Sequence, residues 1–401
     1  MSPEHNFTQI SEDGLWKVDR AEDALAYLNT PENFRTFSEG LTELMQKYGY
    51  TGAADDVDAK TNYVCHALTD IDVPITRHTV RDWFTDKRRP ALASNSRSIV
   101  YQLCFAFHAA YEDVTWFFGH VYFDRSFNCH TIDESVYYYC FLNGLPYAHA
   151  RKLISCIDNY PATNMTDVSE NIYTNDIRLR LEQYKNDAEL LQFFRENKGL
   201  FCKWNKTALE YLNRYLELIR GKQSDRALIE AYKKGAAIHR KDVEKCGLII
   251  QEYFHNAAKG WVRKIHDQTI SSISFMLDCI LTTDEGIHKN MAVPKIVRQN
   301  FPSKQTFSDV LKKADTLTSY DAIRKCLILL KFYHFWCTMT LKPELADSLV
   351  FDAYRDETND LLACCGHEEL YAGNPYDWLF LWCATDARPL DALRDVMKWV
   401  E

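Results

Sequence analysis

The hydrophobic residues of this chain recur mainly three or four positions apart, which is the spacing of one face of an α-helix. Two stretches show the spacing most clearly: Val100, Leu103, Cys104 and Phe107 in one, and Leu209, Leu212, Leu216 and Ile219 in the other. The chain of 401 residues holds only 14 glycines and 11 prolines, too few for a turn-rich β fold. The pattern therefore predicts a mostly helical, all-α protein.

The apolar spacing also predicts where individual helices lie outside the stretches described below. These predicted helices are Ala21–Leu28, Phe34–Tyr48, Ile177–Leu191, Lys206–Ile219, Lys241–Asn256 and Thr269–Leu281. The rest of residues 1–34 is interpreted as an arm, and the polar, turn-rich residues 159–176 as a boundary or an exposed loop.

The stretch Thr76–Phe118 combines this pattern with a local excess of positive charge. A short helix is predicted first, with Val80, Trp83 and Phe84 on its apolar side. Its opposite side is expected to expose Arg77, His78 and Arg81 to solvent. A basic turn that contains Lys87, Arg88 and Arg89 follows, and Pro90 is expected to stop the helix because it disfavours helical geometry at the preceding residue. The second helix carries the apolar positions from Val100 to Phe107. Six Lys/Arg stand against two Asp between residues 76 and 100, a balance of +4.

The order Thr-Val-x-x-Trp, a short gap, Lys-Arg-x-Pro and then Leu-Cys-x-x-Phe resembles the helix-turn-helix of phage-repressor-like (Xre-type) regulators over roughly residues 35–120. Residues 60–75 then correspond to the preceding helix and turn, with Val64, Leu68 and Val73 inward. The chain departs from the family pattern at Phe84-Thr85-Asp86, where Glu-x-Gly is common, and in the turn that holds Asp70 and Asp72.

The resemblance implies a bacterial, cytoplasmic transcription regulator that binds double-stranded DNA without a cofactor, and whose remaining helices form a homodimer or sense an effector. It implies that the helix with Trp83 enters the major groove and that the Lys-Arg-Pro turn lies beside the phosphate backbone. The residues expected to contact DNA are Arg77, His78, Thr79, Arg81, Lys87, Arg88, Arg89 and Arg97.

The remaining patterns complete a predicted layout of three helical domains. Residues 120–158 predict a hairpin of two helices that packs on the helix-turn-helix, with a capping box from Thr131 to Glu134, a close at Asn143-Gly144 and a start at Pro146. The predicted domains are a helix-turn-helix domain with this hairpin, a basic helical middle region, and a C-terminal helical domain, over residues 1–158, 177–290 and 291–401.

The predicted C-terminal domain holds two patterns of its own. Residues 294–337 repeat the order of short helix, basic turn, polar gap and apolar helix, so they are either a degenerate second helix-turn-helix or an ordinary helical hairpin. In Tyr354–Val400, Gly366 is expected to end one helix and Asn374-Pro375 to begin the next. This last stretch is similar to C-terminal modules of bacterial regulators of the repressor-like class.

Charge is distributed unevenly along a chain whose net charge is −9. Residues 1–60 have a balance of −7, residues 195–266 a balance of +8, and residues 344–401 a balance of −9. Nucleic acid responds to a local basic patch more than to the total charge. The basic region 195–266 is therefore either a second nucleic-acid-binding surface or a partner of the acidic ends of the same chain.

The sequence gives no sign of enzymatic chemistry, of a membrane span or of a cofactor. Phosphate-binding glycine loops, H-E-x-x-H, C-x-x-C and G-x-S-x-G are all missing, and no run of 18 apolar residues occurs. Thirteen scattered cysteines fit reduced, buried thiols in a cytoplasm. The cluster Cys364-Cys365-Gly366-His367 lacks the spacing of a zinc site, and Tyr137–Tyr139 and Trp116–Phe118 are interpreted as core.

A second function class stays open beside the DNA-binding regulator. The acidic ends are also typical of a helical protein-interaction module, such as an accessory or inhibitor protein of a mobile element or a defence system. In that interpretation the acidic ends bind a basic protein partner, or mimic nucleic acid, and the basic turn near Trp83 is a solvated surface.

Overall fold

The fold is all-helical throughout the residues that the structure, a computed structural model, describes: 7–30, 32–90, 94–127, 129, 131–161, 174–198, 201, 206–258, 269–282, 300–312, 320–345 and 349–397. The helices are α1 Phe7–Lys17, α2 Ala21–Asn29, α3 Phe37–Lys47, α4 Val57–Asp70, α5 Arg77–Phe84, α6 Ser94–Ala106, α7 Tyr111–Phe117, α8 Ile132–Leu142, α9 Tyr147–Asp158, α10 Thr174–Gln183, α11 Asp187–Asn197, α12 Lys206–Ile219, α13 Asp225–Lys233, α14 Arg240–Val243, α15 Leu248–Ala258, α16 Ile273–Leu281, α17 Lys304–Lys312, α18 Tyr320–Leu341, α19 Val350–Cys364, α20 Pro375–Thr385 and α21 Pro389–Met397. A π-helical turn, Phe118–Tyr122, extends α7, and a short 3₁₀ turn, Pro343–Leu345, follows α18. Within these described ranges, no helix has the length and apolar character needed to span a membrane.

The chain divides into two compact units whose boundaries differ from the three predicted domains. The first unit, called here the terminal unit, contains residues 1–34, 207–365 and 369–401. The second, called here the N-central unit, contains residues 35–206 and 366–368. Contacts between distant parts of the chain, which sequence periodicity does not report, define these units.

The N-central unit has a single hydrophobic core to which α3–α11 contribute. The expected inward residues Val64, Leu68, Val80, Val100 and Leu103 are all completely buried. Tyr137, Tyr138 and Tyr139 lie in the same core. The prediction that the 120–158 hairpin packs with the helix-turn-helix segment is therefore confirmed.

The terminal unit is built around α18, a long helix that is buried on nearly all sides. Its buried Arg324 is paired with an acid from another helix and donates to both oxygens of Asp377 at 2.7 and 2.6 Å. Tyr333 donates to Glu252, and Glu252 also pairs with Arg394 at 2.8 Å.

The periodicity predicted most helices but missed several local breaks. The expected Lys206–Ile219 helix is confirmed as α12, and the Asn374 cap and Gly366 helix end are present. The single helix expected over Ile177–Leu191 is wrong, because Asn186 accepts a hydrogen bond from Glu189 N and caps a new helix. The sequence reading also missed α1, whose residues are mostly polar.

A second predicted helix, Lys241–Asn256, is wrong for a different reason. The structure has α14 and α15 there, separated by a turn that ends at Gly247. A β-carbon on Gly247 would lie 1.9 Å from the carbonyl oxygen of Arg220, so only glycine fits where the turn approaches the end of α12. The segment 159–176 lies largely outside the described residues.

Candidate nucleic-acid interface

The short helix α5 is held by one apolar face and one cap. Val80, Trp83 and Phe84 are buried, and the Trp83 ring meets Phe37 of α3 edge-on at 5.9 Å between ring centroids. The side chain of Thr76 accepts a hydrogen bond from Thr79 N at 3.2 Å and caps the helix. Helix α4 packs directly against α5. The opposite face of α5 is left to solvent.

That outer face carries the basic residues expected there. The exposed fraction of the side chain is 77% for His78, 55% for Arg77 and 42% for Arg81. Thr79 is half-buried, and its hydroxyl lies 2.8 Å from that of Thr76. The expectation that Arg77, His78 and Arg81 reach solvent is therefore confirmed, while their contact with DNA stays a prediction.

Both arginines of α5 share one carboxylate of α4. Arg77 Nη2 donates to Asp58 Oδ1 at 2.7 Å, and Arg81 Nη1 donates to the same oxygen. Arg77 Nε donates in addition to Asn62 Oδ1 at 3.1 Å. The hydrogen bond from Arg77, with the positive charges of both arginines, lowers the pKa of Asp58, so this carboxylate is ionised at neutral pH.

The loop after α5 adds two exposed cations. Lys87 and Arg88 are exposed, and Arg88 Nε lies 2.9 Å from the largely buried carboxylate of Asp82. Arg88 Nη2 also donates to Thr79 Oγ1 at 3.3 Å, so Arg88 lies beside the start of α5. The helix ends at Phe84 and the chain turns at Asp86, whose φ of 51° is left-handed. The expectation that Pro90 stops this helix is therefore wrong.

Arg89 belongs to the core side of the loop more than to its outer surface. Its guanidinium donates to the carbonyl oxygen of Tyr122 at 3.3 Å and lies over the Phe123 ring at 5.7 Å from the centroid. The side chain is half-buried, so it anchors the loop to the π-helical turn. A contact between Arg89 and a DNA phosphate stays a prediction, and less of the Arg89 side chain than of the Arg88 side chain is exposed for such a contact.

The inclusion of Arg97 among the DNA-contacting residues is wrong. The side chain of Arg97 is only 5% exposed, and it pairs with Asp124 and, at 2.5 Å, with Glu134. Its remaining donor group reaches Tyr101 and the carbonyl oxygens of Arg125 and Ser126. These acceptors come from residues up to 37 positions away, so no local pattern marks Arg97 as internal.

The structure brings together two residues that the sequence analysis missed. Asp58 and Asn62 lie four residues apart on α4, and Arg77 and Arg81 lie four residues apart on α5. Residues with this spacing share one face of a helix. Because the two helices are neighbours, the complementary pairs could have been found by comparing the polar faces of α4 and α5.

The remaining chemistry-bearing residues are in unreactive surroundings. The cysteines that the structure describes are all free thiols, as expected, and most of them are buried. Burial raises the pKa of both Cys246 and Cys365 to about 12, so these thiols are protonated at neutral pH. In the described part of the chain, no group of three or more His, Cys, Asp or Glu is arranged to hold a metal ion.

Comparison of this chain with protein-family models, with curated proteins and with solved structures finds no match. The interpretation of the interface therefore rests on its residues and their geometry.

Proposed function

We propose that residues 35–206 form a sequence-specific DNA-binding unit of a transcription regulator, with α5 as the helix that enters the major groove. The observation that carries the proposal is the two-sided character of α5. Its inner face is fixed in the core by Val80 and Trp83, and its outer face presents Arg77, His78 and Arg81 to solvent. A major groove about 12 Å wide admits such a helix.

The outer residues divide into two groups by position. Arg77, His78 and Arg81 lie on the helix, which is the element that enters the major groove in a helix-turn-helix complex. Lys87 and Arg88 lie in the following loop, where contacts to phosphate oxygens fix the orientation of a protein on the duplex. This division predicts different effects of substitution in the two groups.

The loop group is tested by the salt dependence of binding. The double variant Lys87→Ala, Arg88→Ala should bind a labelled duplex of random sequence more weakly than the unmodified chain does. Each lost phosphate contact should reduce the slope of log K against log salt by about 0.9. Fluorescence anisotropy over a range of roughly 50–200 mM salt measures both quantities.

A matched control is available in the terminal unit, outside the basic region 195–266. Lys342 and Arg388 are also exposed, so Lys342→Ala, Arg388→Ala removes the same charge there. This control should keep the affinity and the salt slope. The proposal fails if the unmodified chain has no affinity for duplex at low salt, or if the control weakens binding as much as the loop variant does.

The helix group is tested by selection from a randomised pool of duplexes. Replacement of His78 by Ala should relax the preference at one or two base pairs, because a direct base contact is worth roughly 1–3 kcal/mol of discrimination. An unchanged preference in this variant would contradict the placement of α5 in the major groove.

A second function is favoured by a separate observation in the terminal unit. Both acid-rich ends of the chain pack together there: α1 contacts α20, and α2 contacts α21. Trp378 Nε1 donates to the carbonyl oxygen of Ser11 at 2.9 Å, and Trp382 Nε1 donates to that of Val18 at 2.7 Å. The first 34 residues of the acidic N-terminal segment therefore belong to the same unit as most of the acidic C-terminal segment, and the combined negative charge would suit a basic protein partner.

The two functions are separated by one purification experiment. If the acidic ends bind a basic protein, a stoichiometric partner should be recovered with the full chain, should survive nuclease treatment and should be lost at high salt. Recovery of nucleic acid instead, removable by nuclease, supports the DNA-binding function.

A further inference from the structure

The shared carboxylate of Asp58 is difficult to explain as a stabilising contact. All three side chains in the cluster are largely exposed, at 55% for Arg77, 42% for Arg81 and 58% for Asp58. Ion pairs between exposed groups typically contribute only about 0–1 kcal/mol to stability. The fold of α5 already depends on its buried face and on the Thr76 cap. The convergence of two arginines on one exposed oxygen therefore calls for another reason.

The arrangement has the features of an oxyanion site. Guanidinium groups offer several N–H donors in a planar fork, and two of them around one oxyanion is a common arrangement for phosphate. Here two guanidinium groups meet at Asp58 Oδ1, and Arg77 is held in place by a second acceptor, Asn62. The carboxylate of Asp58 occupies the place that an oxygen of a phosphate group would take.

We propose that Arg77 and Arg81 form a phosphate-binding site that the chain closes with its own Asp58, and that a phosphate group displaces this carboxylate. The inference rests on the proposed function in taking the phosphate to be that of a nucleic-acid backbone. Asp58 then acts as an internal competitor, which keeps the affinity of the unit for phosphate below what its two arginines would supply.

The first test replaces the competitor by a neutral residue of the same shape. Asp58→Asn keeps the helix position and removes the negative charge, so it should tighten binding of a random-sequence duplex by about two- to fivefold, since the removed pair is a surface ion pair. Asp55→Asn removes the same charge from the exposed loop just before α4 and serves as the matched control. It should change the affinity much less.

A double-mutant cycle separates displacement from a general change of charge. In a chain that already carries Arg77→Ala and Arg81→Ala, the further change Asp58→Asn should bring no gain, because the released donors are missing. The inference is overturned if Asp58→Asn raises the duplex affinity equally in that background, or if Asp55→Asn raises it as much as Asp58→Asn does. In either case, duplex binding by the unmodified chain leaves the proposed function standing.

A second arm uses inorganic phosphate and does not depend on DNA. The NMR signals of the Arg77 and Arg81 Nε–H groups are followed during titration with phosphate, against chloride at equal ionic strength. In the Asp58→Asn variant these signals should shift and reach saturation. The unmodified chain should need a higher phosphate concentration to reach the same shift. If no variant binds duplex, the proposed function is overturned and this titration decides the inference alone: unchanged signals in Asp58→Asn overturn it.

Discussion

Two groups of arginines in the N-central unit lie close in sequence and have opposite surroundings. Arg97 is enclosed by two acids, a tyrosine hydroxyl and two carbonyl oxygens, and its side chain is 5% exposed. Arg77 and Arg81 share a single oxygen of Asp58 in contact with water. One arginine has a full set of acceptors and is part of the core, whereas the other two have donors left for a ligand.

This difference shows why a count of charges along the chain overstates a basic surface. The balance of +4 between residues 76 and 100 included Arg97, which is neutralised inside the unit by Asp124 and Glu134. It left out Asp58, which lies on the surface next to Arg77. The effective charge of the interface is set by partners that distant parts of the chain supply.

The largest effect is expected from Arg97→Ala. The substitution leaves two carboxylates, on Asp124 and Glu134, without their cation in a buried place, and removal of one partner from a buried ion pair costs about 3–5 kcal/mol. Hydrogen exchange of the α6 and α8 amides measures the loss within the N-central unit. Arg97→Lys, which keeps the charge but loses the planar fork, should lose less. If Arg97→Ala lowers the free energy of unfolding by less than about 1 kcal/mol, the ion pairs of Arg97 contribute no more to stability than exposed surface pairs do.

The positions that the sequence predicted well are those fixed by local patterns. The inward set of Val80, Trp83 and Phe84, and the Asn374 cap of α20, follow from periodicity and from the preference for side-chain caps. The exposed side of α5 followed from the same periodicity, because the residues opposite an apolar face are polar.

The positions that could not be predicted depend on contacts across long sequence separations. Asp124 lies 27 residues from Arg97, and Asp58 lies 19 residues from Arg77. Nothing in either local pattern says which carboxylate a given arginine will meet. The helix α1 was missed because it is mostly polar and its buried Leu15 has few apolar neighbours at helical spacing.

The next effect concerns His334, which lies in the terminal unit and, unlike Arg97, has more positive than negative charge around it. Burial, together with the positive charges of Lys331 and Arg214, lowers its pKa from 6.5 to about 4, although Glu357 opposes the shift. The unfolded chain therefore takes up this proton near pH 6.5, whereas the folded chain takes it up only near pH 4. Stability should fall as the pH drops through this window.

Comparison of urea unfolding at pH 7 and pH 5 measures the contribution of His334. Between pH 7 and pH 5, the free energy of unfolding of the unmodified chain should fall by about 1–2 kcal/mol more than that of the His334→Gln variant, after allowance for partial exposure of the ring. Carboxylates that titrate in the same range are present in both proteins, so the difference isolates the histidine. An equal loss in both proteins would show that His334 is not held neutral by its surroundings.

A smaller effect is expected from the cap of α5. Thr76→Ala removes the acceptor for Thr79 N and should destabilise the helix by about 1 kcal/mol, whereas Thr76→Ser keeps the hydroxyl and should have little effect. Hydrogen exchange of the α5 amides reports this change directly. If Ala and Ser behave alike, the core contacts of Val80 and Trp83 hold the helix without a contribution from the cap.

The smallest effect on stability is expected from Arg81→Ala, and it sharpens the contrast with Arg97. Arg81 and Asp58 are both exposed, so loss of their contact should change the free energy of unfolding by less than about 0.5 kcal/mol. The same substitution should weaken duplex binding, because it removes one donor from the phosphate site. Hydrogen exchange of the α5 amides measures the change in stability, and fluorescence anisotropy with a labelled duplex measures the change in affinity, both on one preparation. A loss of stability comparable to that of Arg97→Ala would mean that the arginines of α5 serve the fold and have no donor to spare for DNA.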